Sequence, residues 1–305
     1  MKSVLIYGII VFLLVACDDT TSAVVIPAPP GFFNETELDS SFIDTNSSSS
    51  EADGSSAVSN LSSSSGEDRS EYNPETGILK DLRDGQTYKT VVIGEGDSAQ
   101  TWMAENLNYA YSVPTATLGS SSVCYDNDPK NCEKYGRLYL WSAAMDSAAI
   151  FSSVGKGCGG HAGKDPSAQN CNISGVFRSV CPKGWHLPTS KEWVKLLKTV
   201  NDLTSDDQPG KYLKSTSGWK LKDGEDYNGE DTYGFTILPV GNSHVGYLGR
   251  GGLVSERQGE ICFFWSADKY DAGSPGAQGF YNESHQSYSV GSMPVGTLPI
   301  RCLKD

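Results

Sequence analysis

The sequence contains no His-Glu-x-x-His, no Gly-x-Ser-x-Gly and no Gly-x-x-x-x-Gly-Lys-Ser/Thr. Those absences remove the zinc-protease, serine-hydrolase and phosphate-loop readings that such motifs carry. Histidine is scarce: His161, His186, His244 and His285 stand far apart, and no Cys/His group has zinc spacing. Positive charge is scarce too, with 24 Lys and Arg against 37 Asp and Glu and a net charge of −13. A chain so acidic is repelled by a phosphate backbone, so nucleic acid is excluded as a partner. No apolar run approaches the ~20 residues of a membrane-spanning helix, and no internal repeat is visible. Gly249-Arg250-Gly251-Gly252 is a glycine turn without the rest of a phosphate site. No catalytic group, metal set or cofactor is expected.

The longest apolar run is Val4 to Val15, preceded by Lys2. That is a signal-peptide pattern. Leu14-Val15-Ala16-Cys17 at its end resembles a bacterial lipobox. Cleavage before Cys17 would let its thiol carry a diacylglyceryl group and its new amine a further acyl chain. Several chains give stable attachment, where one chain alone binds marginally. Residues 1–17 therefore read as a lipoprotein signal with lipidation at Cys17, and an ordinary signal peptide is the alternative. Residues 18–70 should not fold. They hold the serine runs Ser47–Ser50 and Ser62–Ser65, set among acids with few apolar residues. Such a segment cannot bury enough surface to offset its ordering entropy, and it behaves as a flexible tether.

Residues 71–305 read as one globular domain. Tyr72 to Lys80 is expected as a lead-in strand. Tyr88 to Ile93 is β-branched and alternating, Gly94 to Ser98 is a turn cluster, and Gln100 to Ala104 returns, so the three form a hairpin. Phe235 to Val240, Glu260 to Ala267, Gly279 to Asn282, Gln286 to Val290 and Leu298 to Leu303 are further expected strands. Tyr135 to Ala149 turns from a strand or corner into a short helix. Residues 152–175 and 201–232 read as long loops.

The one strong helix follows Cys181-Pro-Lys-Gly-Trp-His-Leu-Pro188. Pro188 holds Leu187 out of the helical region. Thr189 then stands at an N-cap with Glu192 three residues on, the spacing of a capping box. Trp193, Leu196, Leu197 and Val200 recur at i, i+3, i+4 and i+7, one apolar stripe. Lys191, Lys195 and Lys198 lie off it. Sheet, helices, long loops and sheet again indicate an α+β fold with a mostly antiparallel sheet and two or so helices.

The eight cysteines, less Cys17, leave seven. An exported chain can keep disulfides. The expected bridges are Cys124–Cys132, Cys158–Cys171 and Cys181–Cys302, although six cysteines admit many pairings. Cys262 remains, flanked by Ile261 and Phe263, and reads as a buried inert thiol with a reactive thiol as the alternative. His186 reads as a packed or hydrogen-bonded structural histidine.

Cys181-Pro-x-Gly-Trp-His-Leu-Pro-Thr189 followed by Glu192-Trp193 resembles the Fibrobacter succinogenes major paralogous domain. Asp84-Gly-Gln-Thr-Tyr-Lys-Thr-Val91, Gln100-Thr-Trp-Met-Ala-Glu-Asn-Leu-Asn-Tyr109, Cys124-Tyr-Asp-Asn-Asp128, Tyr135-Gly-Arg-Leu-Tyr139, Phe264-Trp-Ser266 and Arg301-Cys-Leu-Lys-Asp305 match the same family in order. The Leu-Pro-Thr-x-x-Glu-Trp corner is also similar to the fold group of C-type lectins and formylglycine-generating enzymes. That second likeness implies a C-type-lectin-like fold. The enzymes of that group use a close pair of late cysteines. Cys262 and Cys302 are widely separated, so their oxidase chemistry is not expected.

The remaining handle is aromatic. Trp102, Trp185, Trp193 and Trp265 read as core. Trp219, Tyr227, Tyr233, Tyr247, Tyr270, Tyr281 and Tyr288 fall in the loop-rich second half. Among them Trp219, Tyr233, Tyr247, Tyr270 and Tyr281 are the candidate ligand contacts. Aromatic rings flanked by Asp and Asn suit sugars, whose apolar faces stack while their hydroxyls hydrogen-bond, and they also anchor protein interfaces. Asp223, Glu225, Asp226, Asn228, Glu230 and Asp231 crowd one loop without EF-hand spacing, and a solvated acidic loop is expected rather than calcium. The reading is a non-catalytic lipoprotein of the bacterial cell envelope, on the outer membrane or cell surface. Its partners would be the membrane, through its lipid, and an extracellular polysaccharide. A structural or adhesive role with an envelope protein is the alternative, and an enzyme of unrecognised type a further one.

Overall fold

The computed structural model describes residues 69–114, 120–159, 171, 173, 177–245, 253–271, 274–292 and 296–305. The signal at 1–17 with Cys17, the tether up to residue 68, His161, Tyr247 and the glycine turn at 249–252 lie outside the described residues.

The described strands form three sheets. The first contains β1 (Ser70–Asn73), β2 (Ile78–Asp81), β3 (Thr87–Ile93), β4 (Gln100–Met103), β14 (Leu303–Lys304) and β7 (Trp185–His186), in that spatial order. The expected hairpin is β3 and β4, paired from Thr90↔Met103 to Ile93↔Gln100. The second runs β5 (Ser122–Val123), β6 (Leu138–Leu140), β13 (Gly296–Leu298), β8 (Asn242–Val245) and β9 (Leu253–Glu256). The third is β10 (Ile261–Lys269), β11 (Pro275–Tyr281) and β12 (Ser287–Gly291). Every strand pair is antiparallel. Four helices accompany the sheets among the described residues: α1 (Pro129–Tyr135), α2 (Trp141–Ala144), α3 (Ser190–Thr204) and α4 (Pro209–Leu213).

Helix α3 forms where the sequence places it. Thr189 Oγ1 accepts from the Glu192 backbone N–H, and the Glu192 carboxylate accepts from the Thr189 N–H at 2.8 Å. The helix runs past Val200 to Thr204 and stops at Ser205, which turns left-handed at φ 54°. Its stripe enters the core: Trp193, Leu196 and Val200 are fully buried, and Leu197 is half-buried. Trp193 stacks on Phe264 with centroids 5.3 Å apart, and Trp102 lies 4.6 Å from Trp193. One tryptophan thus joins β4, α3 and β10. Trp265 Nε1 donates to the Tyr139 carbonyl at 2.6 Å, and Trp141 Nε1 donates to the Ser266 carbonyl at 2.9 Å, which ties β10 to β6 and α2.

Several expected elements differ. The lead-in strand is two strands, because Asn73 Oδ1 accepts from the N–H groups of Glu75 and Thr76 and turns the chain, with Gly77 at φ 64° completing the reversal. The Cys124–Cys132 loop holds helix α1, capped by Asp128, which accepts from the Lys130 N–H, with Pro129 at its first position. Phe235 to Val240 is not a strand. It is buried at Phe235, Ile237 and Val240, but Thr236 is left-handed at φ 52° and only Ile237 makes a bridge, to Lys214. Leu298 to Leu303 divides between two sheets, as β13 and β14, with Pro299 between them unable to donate to a ladder.

Three disulfides are present: Cys124–Cys132, Cys158–Cys171 and Cys181–Cys302. The third joins the corner before β7 to the entry of β14, both in the first sheet, and both its cysteines are fully buried. Cys262 is free and buried, and burial pushes its thiol up to about 12.

Candidate functional site

One face of the third sheet, buried at Trp265 and Ala277, carries an aromatic group toward its other end. Phe263 pairs with Gly279 and Gly279 with Tyr288, so the three stand in one row across the strands. Tyr281 lies two residues beyond Gly279, on the same face by the twofold alternation of a strand. The opposite face sends Cys262, Phe264 and Phe280 into the core. Gly279 is needed because the rings cover its backbone. A Cβ there would stand 2.9 Å from Phe263 Cε1 and 3.3 Å from Tyr281 Cε2. Phe263 and Tyr281 meet edge-on at 5.3 Å, and Tyr281 and Tyr288 edge-on at 5.8 Å. Tyr288 is 49 % exposed, so the row opens to solvent at β12.

Beside the row lies an open groove of about 690 Å³. Tyr227, Tyr281 and Tyr288 line it together with Lys222, Asp223, Glu225, Glu283 and Ser284. Lys222 stands 3.7 Å from Glu283. Beneath the groove sits Lys214, fully buried. Its ammonium donates to the carbonyls of Tyr281 and Ser284, both at 3.0 Å, and lies 4.7 Å over the Trp219 ring. Lys214 therefore holds the β11–β12 turn that presents Tyr281, Glu283 and Ser284. Burial away from water disfavours its charge and brings its pKa down to about 8, against a smaller opposing pull from Asp226. His285, whose ring packs 5.4 Å from Tyr227, is lowered by burial and by the nearby Lys214 and Lys211.

The Fibrobacter succinogenes major domain model matches residues 97–304. The chain belongs to that family. No curated protein and no solved structure matches the chain. The matched segment of the Fibrobacter major domain starts just before β4 and contains the groove, the row of rings and all three disulfides. Strands β1 to β3 precede it yet continue its first sheet, through the β3–β4 pairing.

The structure separates the candidate contacts of this Fibrobacter major domain. Tyr281 lines the groove, and Tyr227 and Tyr288 join it there. Trp219 does not offer a face to solvent. It is 4 % exposed, its indole N–H donates to the Ile237 carbonyl at 3.3 Å, and its ring forms part of the core behind Lys214. Tyr233 is half-buried against the same core. Tyr270 is 58 % exposed in the β10–β11 connection, packs on Gly291 and does not line the groove. Tyr247 lies outside the described residues. The acidic loop divides its carboxylates. Asp226 accepts from the backbone and side chain of Asn228, Asp231 from the backbone and hydroxyl of Thr236, and Glu230 stands 3.4 Å from Lys211. Among the described residues no three of His, Cys, Asp and Glu converge as a metal ion requires.

Two other polar centres are structural in geometry. His186 is buried, with Nδ1 2.7 Å from Asp305 Oδ1 and Nε2 3.0 Å from Glu192 Oε1. The second oxygen of Glu192 is the one that closes the α3 capping box, so one carboxylate fixes both the helix start and the histidine. Arg301 is fully buried between Phe235 and Phe264, 4.8 and 5.4 Å from their centroids. It donates to Asn106 Oδ1 at 2.6 Å and to the carbonyls of Met103, Phe235 and Thr236. Burial lowers its pKa to about 10. It closes the floor of a second, smaller cleft of about 250 Å³ rimmed by Lys89, Glu105 and Lys134. Sequence reasoning missed Lys214 and Arg301. Arg301 is visible in the sequence only as part of the Arg-Cys-Leu-Lys-Asp family motif.

Proposed function

We propose that the chain is an exported, lipid-anchored protein of the bacterial cell envelope whose domain binds an extracellular polysaccharide without acting on it. Cys17 carries the lipid, the chain from residue 18 up to the strand that starts at Ser70 is the tether, and the domain works outside the membrane that holds it. The three disulfides support export, because they persist in oxidising compartments and are reduced in the cytosol. The antiparallel sheets, the capped helix and the bridged loops are in keeping with a C-type-lectin-like arrangement.

The observation that carries the binding reading is the groove. Three tyrosine rings line it beside a row of packed aromatics, and carboxylates stand on its wall. Rings offer apolar faces to the C–H face of a sugar, and carboxylates accept from its hydroxyls. A shallow open groove suits a polymer better than a small free ligand, which a deeper pocket would enclose.

The test is retention of the detergent-purified protein on insoluble polysaccharides, with Tyr281→Ala and Tyr288→Ala variants beside it. Loss of one stacking ring, at about 1 kcal/mol, should weaken retention roughly fivefold to tenfold. Retention that both variants leave unchanged would refute the groove as the site. Retention on envelope proteins alone would favour the adhesive role. Intact mass before and after reduction and alkylation tests the anchor: a lipid adduct on Cys17 is expected.

A further inference from the structure

We infer that the groove selects sugars that donate, amino sugars first and neutral hexoses next, and excludes chains of uronic acid. The inference rests on the polysaccharide reading above and narrows it to a substrate class. Three carboxylates line the groove, Asp223, Glu225 and Glu283, against one ammonium, Lys222. Lys222 is engaged by Glu283 at 3.7 Å. That leaves Asp223 and Glu225 on the wall without a basic partner. Both are exposed. A carboxylate accepts and cannot donate, so these two groups hold hydroxyls and attract a protonated sugar amine. They repel the carboxylate of a uronate stacked on Tyr281 and Tyr288. Two other cations lie nearby and neither lines the groove: the amine of Lys214 is turned away into the carbonyls of Tyr281 and Ser284, and Arg257, whose charge reaches Tyr281, stands 3.6 Å from Glu260. Two unit charges some 6 Å from a ligand charge, in near-aqueous surroundings, discriminate between opposite ligand signs by about tenfold or more, and salt reduces the difference.

The experiment titrates the purified, detergent-solubilised protein calorimetrically with three soluble oligosaccharides of equal length: a glucosamine oligomer, a neutral glucose oligomer and a galacturonate oligomer. The pH is about 5.5, where sugar amines are protonated. Low and high salt are compared. The expected order is glucosamine, then glucose, then galacturonate, with the ends at least tenfold apart at low salt. Asp223→Asn with Glu225→Gln should collapse that order. Because the whole chain is acidic, an order unchanged by this double variant would place selectivity in the net charge and overturn the inference. Galacturonate binding as tight as glucosamine binding would overturn it as well, with the polysaccharide reading intact. Binding of none of the three would sink both readings together. An order collapsed by the double variant, with neutral binding lost in Tyr281→Ala, would support both.

Discussion

The three disulfides should differ in what they contribute, and the order follows from the loops they close. Cys124–Cys132 spans 8 positions, Cys158–Cys171 spans 13 and Cys181–Cys302 spans 121. In the chain-entropy account, cross-linking removes freedom from the unfolded chain in proportion to the logarithm of loop length. The expected contributions are about 2.5, 3 and 5 kcal/mol in that order. The loss on replacing Cys181 and Cys302 by Ala should therefore exceed that for Cys124 and Cys132 by about 2 kcal/mol. Both Cys181 and Cys302 are buried, so their removal also costs packing. Cys262 supplies the control: it is equally buried and unbridged, and Cys262→Ala measures the packing loss of one buried sulfur alone. The assay is equilibrium urea unfolding, with twice the Cys262→Ala loss subtracted from that of the Cys181/Cys302 variant. The slope on denaturant should steepen as well, because an unlinked chain exposes more surface. A Cys181/Cys302 variant no less stable, after correction, than the Cys124/Cys132 variant would refute the reasoning.

Three further outcomes are expected. Burial disfavours the His186 imidazolium, but its hydrogen bonds to Glu192 and Asp305 outweigh this and raise its pKa above the ordinary 6.5. The stability it contributes is complete below about pH 6.5 and is lost as pH rises through the raised value. The urea midpoint should fall over that window in the native chain and stay flatter in His186→Gln. Lys214 behaves in the opposite way, since burial lowers it from 10.5 to about 8. Stability should rise between about pH 8 and 10.5, by roughly 3 kcal/mol at most, and Lys214→Met should remove that rise when the two pH profiles are subtracted. Asp146 is buried and accepts from the Tyr111 hydroxyl and from the N–H groups of Ile150, Phe151 and Ser152 at 2.7 to 2.9 Å. Asp146→Ala leaves those donors unpaired, and urea unfolding should register a loss of about 3 kcal/mol or more.

Local chemistry made part of the fold legible. Helix α3 announced itself through Thr189, Glu192 and a regular Trp/Leu stripe, three signals that agree within a dozen residues. The β3–β4 hairpin did so through β-branched alternation from Tyr88 to Ile93, a glycine turn and a return strand. Helices α1 and α4 were missed although each has Pro at its start, because at seven and five residues neither is long enough to show a stripe. Phe235 to Val240 misled in the other direction. Its apolar residues are buried as a strand's would be, but they pack without a ladder, and periodicity alone cannot tell those two cases apart.

The site was less legible, for a reason that lies in register. Composition located the tyrosines of the second half but could not say which share a face. That depends on Gly279 standing opposite both Phe263 and Tyr288, a pairing of three strands that no short window contains. The glycine carried the signal, since a glycine inside a strand marks a close approach, and here the approaching groups are the rings themselves. Trp219 illustrates the converse. A tryptophan in a loop-rich stretch reads as an exposed anchor, yet it is covered because Lys214 lies over its ring and draws the β11–β12 turn across it. Lysine is among the residues least often buried, so no local rule would place this one inside. The same ammonium that hides Trp219 presents Tyr281. The candidate site is therefore shaped from below by a buried cation, and its ligand contacts are legible only once that cation's two carbonyl partners are known.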